Sequence, residues 1–89
     1  MALQMVNYDL IAEKDCADLI SAIKTYATHC HCLKSTWILK TDKPAEEVAN
    51  HLCQLVDSDG RLIVTILTGG AGWTRSLPAH IKEWLQNNL

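Results

Sequence analysis

Phenylalanine is absent from this 89-residue chain, and proline (2) and glycine (4) are scarce. So little Gly and Pro excludes collagen-like, low-complexity and disordered classes. The only arginines are Arg61 and Arg75, and the formal charge is −2, so no net field draws the chain to nucleic acid or anionic lipid. No apolar run approaches the roughly 18 residues that a membrane span requires. Residues 1–10 carry Gln4, Asn7 and Asp9 where a signal peptide has an unbroken apolar stretch. A cytoplasmic chain without a membrane partner is expected.

What is present is ordinary for a globular protein: 48% hydrophobic and 20% charged residues. The length allows one domain, residues 1–89, which on folding removes only about 60% of the surface its open chain exposes. Four cysteines, Cys16, Cys30, Cys32 and Cys53, are expected as reduced thiols in the absence of an export signal. His29-Cys30-His31-Cys32 offers soft and imidazole ligands. In a strand, alternation sends the histidines to one face and the cysteines to the other, so the four do not converge on one tetrahedral ion. Packed or surface positions are the expectation there.

Residues 2–10 alternate as a strand, with Leu3 and Met5 on one side and Val6, Tyr8 and Leu10 on the other. From Asp15 onward, Cys16, Leu19, Ile20, Ile23 and Ala27 recur at helical spacing. Residues 29–34 and 36–41 read as two strands joined through Lys34-Ser35, antiparallel because the connection is short. Asp42 and Pro44 announce a second helix, since Asp accepts from free N–H groups and Pro is tolerated in the first turn. Its inward stripe is Val48, Leu52 and Leu55, with Cys53 and Val56. Asp57-Ser58-Asp59-Gly60 forms a stop and turn. Residues 62–67 make the most apolar strand, expected at the centre of the sheet, and Ser76-Leu77-Pro78 opens a last helix carrying Ile81, Trp84, Leu85 and Leu89.

This order predicts an α+β, ferredoxin-like βαββαβ sandwich with an additional C-terminal helix, two helices covering one face of an antiparallel sheet. The other face is the informative one. A strand wetted on one side alternates cleanly, yet residues 62–67 offer Leu62, Val64 and Ile66 to one face and Ile63 and Leu67 to the other. At about 25 cal/mol per Å², leaving such a row uncovered forfeits several kcal/mol. The last helix covers part of it, and a second copy stacked sheet against sheet covers more, so a homodimer is expected.

Among residues with chemistry to offer, Asp9 stands where the first strand ends. Two copies meeting across a dimer axis suit hydrated Mg²⁺, which needs one or two carboxylates plus phosphate oxygens. Ser35 and Thr36 have hydroxyls for a phosphate, and the Trp37 ring has a face for a base. Each also has an ordinary reading: Asp after a strand forms turns, and Ser-Thr completes a hairpin. Asp57-x-Asp59-Gly60 lacks the bidentate Glu of a calcium loop. Gly69-Gly70-Ala71-Gly72 lacks the Lys-Ser/Thr of a P-loop and reads as a flexible turn. Trp73 and Trp84 read as packing residues.

Tyr8-Asp9-Leu10 before an amphipathic helix, paired strands with Ser35-Thr36-Trp37-Ile38, and Asp57-x-Asp59 before an aliphatic strand together resemble the SinR-like family of small proteins. More distantly the chain is similar to the CRISPR-associated spacer-acquisition proteins and VapD-type ribonucleases, over residues 2 to 67. The resemblance implies a homodimeric, metal-dependent ribonuclease or nuclease-like protein, with Asp9 catalytic and holding Mg²⁺, Tyr8 positioning it, and Ser35, Thr36 and Trp37 contacting substrate. The stretch after Asp9 has no arginine cluster, which disfavours long duplex DNA and leaves a short RNA or a nucleotide. The alternative is a non-catalytic dimeric interaction module, a toxin–antitoxin or regulatory component that keeps the scaffold without the chemistry.

Overall fold

The computed structural model describes residues 2–9, 13–26, 28–56, 60–68 and 70–88, with residues 13–16 as backbone only. The expected turn at Asp57-Ser58-Asp59, the side chain of Cys16, and residues Leu10, Ala27, Gly69 and Leu89 lie outside what is described. The elements run β1 (Ala2–Asp9), α1 (Glu13–Ile23), β2 (Thr28–Leu33), β3 (Thr36–Thr41), α2 (Ala45–Cys53), β4 (Arg61–Leu67) and α3 (Ala79–Asn88). No helix among the described residues is long and apolar enough to cross a membrane.

The strands form one antiparallel sheet in the order β2-β3-β1-β4, so the protein is of the α+β class. Register follows the apolar alternation: Val6 pairs with Trp37 on one side and Val64 on the other, whereas Met5 pairs with Ile38 and Thr65. A one-residue slip would turn every one of these side chains to the wrong face. β2 and β3 form a hairpin through Lys34-Ser35, with an irregularity between His31 and Leu33.

Helices α1 and α2 cover one face. Leu19 and Ile23 of α1 and Val48 and Leu52 of α2, all fully buried, meet Val6 and Leu39 of the sheet. Pro44 stands at the cap position of α2 in extended backbone, and its carbonyl accepts from the Val48 N–H at 3.1 Å. The Pro44 side chain has no acceptor with which to cap the helix. Glu46 and Glu47 in the first turn meet the positive end of the helix dipole. Gln4 is buried in the same face. Its amide N–H donates to the Lys43 carbonyl at 2.7 Å, tying β1 to the entrance of α2.

The opposite face carries a second, smaller core. Leu3, Cys30 and Ile38 pack against Ile81 and Leu85 of α3, whose first turn begins from the Pro78 carbonyl. Two expectations require correction. Among the described residues β4 is an edge strand bonded only to β1, not the central strand its apolarity suggested, and that central place belongs to β1 and β3. Cys53, at the end of α2, faces solvent rather than the core, and Val56 is only half-buried.

Candidate functional site

Asp9 is the last residue of β1, where the strand runs out from between β3 and β4. It is exposed and stands in register with Arg61, the first residue of β4. Both border an open concavity of about 280 Å³ together with Asn7, Tyr8, Leu62 and Ile63. Asn7 is held by its neighbour strand, because the Thr36 hydroxyl donates to its side-chain oxygen at 2.6 Å. Asp9, Asn7 and Thr36 therefore share one face of the sheet.

Tyr8 and Trp37 share the other, since successive strand residues point to opposite faces. The Trp37 indole N–H donates to the Tyr8 phenol oxygen at 3.3 Å, and that phenol reaches the Lys34 carbonyl at 3.5 Å. Trp37 is only 3% exposed and lies flat against the His31 imidazole, with ring centroids 4.3 Å apart and planes inclined by 4°. At that exposure the ring is enclosed by protein rather than open to a base. Ser35 is half-buried in the hairpin turn, where its carbonyl accepts from the Tyr8 N–H at 3.1 Å. Of the five residues singled out from the sequence, Asp9 and Thr36 thus lie on one face of the sheet and Tyr8 and Trp37 on the other, with Ser35 in the turn and Tyr8 meeting Asp9 at the strand-end concavity.

The His29-Cys30-His31-Cys32 stretch is divided as strand geometry requires. His29 and His31 lie beside Trp37, one donating to the Tyr26 carbonyl and the other to the Lys34 carbonyl, both at 3.1 Å. Cys30 and Cys32 lie under α3, where burial pushes both thiols up, Cys32 to about 12. Both stay protonated near neutral pH, so neither supplies the thiolate that nucleophilic attack requires. Among the described residues no group of three or more His, Cys, Asp and Glu is arranged to hold a metal ion.

Two features escaped the sequence. The first is a pair on the helix-covered side, the Tyr26 phenol and the His51 Nδ1, 3.1 Å apart, beside a shallow concavity of about 370 Å³. Burial, then the nearby Glu47 carboxylate, raises the Tyr26 phenol above its ordinary value. The second is larger. A cavity of about 480 Å³ lies between the sheet and the 70–77 segment, floored by Met5, Ile38 and Leu67 and walled by Trp73, Leu77 and Leu85. Its hydroxyl and thiol groups come from Thr36, Thr68, Thr74 and Cys32, and among the described residues no charged side chain lines it. The run Gly70-Ala71-Gly72-Trp73 hinted at a loop but not at what it stands over. Trp73, expected as a packing residue, is 38% exposed at this cavity. No protein-family model matches the chain, and no solved structure matches it significantly.

Proposed function

We propose that the chain is a non-catalytic binding module, built on a ferredoxin-like scaffold and working in the cytoplasm, whose cavity beneath the 70–77 segment takes a neutral apolar small molecule. The scaffold reading is supported by the strand order: β3 lies between β1 and β2, and β1 between β3 and β4, as two interleaved split β-α-β units require. The observation that carries the binding reading is the cavity itself. Its volume of about 480 Å³ falls in the range of ligand sites, and its lining is apolar with a few hydroxyls and one thiol. With no charged group among the described residues of that wall, an ionised ligand would lose hydration with nothing there to replace it, so a neutral one is favoured. Titration with the neutral probe N-phenyl-1-naphthylamine tests this: saturable fluorescence enhancement is expected. Ala71→Asp, at an exposed position in the wall, should weaken the enhancement at least tenfold without loss of fold. Non-saturable enhancement, or enhancement indifferent to Ala71→Asp, would remove the proposal.

A second reading, a Mg²⁺-dependent ribonuclease or nuclease-like protein of the SinR-like kind acting on short RNA as a homodimer, is favoured by the exposure of Asp9 beside Arg61, a carboxylate next to a phosphate-compatible cation. Asp9 and Arg61 by themselves offer one carboxylate beside a guanidinium, so the reading places a second Asp9, from another copy, at the ion. Its test is cleavage of a short RNA with and without Mg²⁺: activity that Asp9→Asn abolishes supports it, and absence of cleavage by the unaltered protein rejects it.

A further inference from the structure

β4 is a seven-residue edge strand, Arg61–Leu67, with β1 on one side and no strand on the other among the described residues. Edge strands expose a row of unpaired N–H and C=O groups, and proteins commonly blunt them with Pro, Lys, bulges or very short length. β2, at the opposite edge, has such a device in the irregularity between His31 and Leu33. β4 has none: no Pro, Gly or Lys interrupts it, its pairing with β1 is continuous from Leu67 to Arg61, and its single charge stands at its first residue.

The exposed side chains of β4 identify the kind of cover it needs. Ile63 is 64% exposed and Ile66 51% exposed, and their register partners on β1, Asn7 and Gln4, lie on opposite faces of the sheet. Stacking a second copy on the face opposite α1 and α2 would cover Ile63 and leave Ile66 wet. Extending the sheet past β4 reaches both. We infer that two copies of this chain join through β4, antiparallel about a twofold axis at Val64, to make one continuous eight-stranded sheet.

The sequence of β4 is self-complementary in that register. A twofold axis normal to the sheet requires residues of equal parity to face each other. Centring on Val64, the middle of the seven residues, is the choice that pairs all of them. Leu62 then faces the second copy's Ile66 on the helix side, and Val64 faces itself. Ile63 faces Thr65 on the other side, a β-branched pair of the kind that stabilises cross-strand contacts. Arg61 falls at the end of the shared ladder, opposite Leu67, so like charges do not oppose one another. The available surface points the same way. The chain exposes 5803 Å². A monomer of 9.9 kDa exposes roughly 5200 Å² by the usual scaling, and a stable interface covers about 800 Å² per partner.

In this assembly the two Asp9 carboxylates stand about 25 Å apart by strand spacing, too far to share an ion. The arrangement is therefore exclusive of a face-to-face dimer that brings them together, and it is independent of whether the cavity holds a ligand. Sedimentation of the full chain at high micromolar concentration is expected to give two copies per particle. The exposed double change Ile63→Lys with Ile66→Lys should give one copy with the same far-ultraviolet circular dichroism. Geometry is read separately by oxidative cross-linking in a Cys53→Ser background. Val64→Cys should form a disulfide-linked dimer, because directly opposed strand residues lie within disulfide reach, whereas Asp9→Cys should not. A single copy per particle for the unaltered chain, or cross-linking through Asp9→Cys and not through Val64→Cys, overturns the inference.

Discussion

Cys32 shows how one buried group couples stability to pH. Burial under α3 raises its thiol from an ordinary value of 9.0 to about 12, with the adjacent Cys30 adding to the shift. Between these values the unfolded chain sheds a proton that the folded chain keeps, so the folded state binds more protons and its stability falls as pH rises. Cys30 and Tyr26 are raised as well, and their contributions have the same sign. The expected outcome is a urea midpoint that is flat near neutral pH and declines from about pH 8.5 toward pH 12. In Cys32→Ala the decline should be shallower, because one of the three coupled groups is gone. Urea titrations of both proteins across that window check this, and equal slopes would show that the Cys32 thiol titrates alike in both states.

At the scale of the elements, the sequence announces each strand and helix through its period, and the separation of His29 and His31 from Cys30 and Cys32 follows from alternation alone. The same alternation turns Tyr8 and Asp9, and likewise Thr36 and Trp37, to opposite faces of the sheet, although Tyr8 and Asp9 border one concavity at the strand end. Neighbour order is less accessible. β4 is the most apolar strand yet lies at an edge, because apolarity does not record which strand lies beside it. The helical stripe failed at Cys53 for a local reason: α2 ends there, and its last turn extends past the buried positions Val48 and Leu52. The cavity was illegible because Met5, Ile38, Leu67 and Leu77 are remote in sequence and meet only once the chain after β4 passes over the sheet.

On the scale of the whole molecule, the sheet divides the interior into two cores. Leu52 is fully buried between α2 and the sheet, remote from the residues lining the cavity, whereas Leu85 is 6% exposed and belongs both to the α3 core and to the cavity wall. Shortening either side chain to alanine removes buried methyl groups and leaves a void, a change that costs about 2–5 kcal/mol in well-packed interiors. Domains of this kind are stable by only about 5–15 kcal/mol, so each variant should unfold at clearly lower urea concentration. The two should differ in binding. Leu52→Ala is expected to leave the affinity for N-phenyl-1-naphthylamine within about twofold of the unaltered protein, below the roughly 1.4 kcal/mol that corresponds to tenfold. Leu85→Ala is expected to change that affinity by more than threefold, because it alters the wall the probe touches. Urea unfolding and probe titration on the same samples separate the two effects. Equal changes in affinity would mean that the faces of the sheet act as one cooperative body, with the cavity responding to stability as a whole rather than to its own wall.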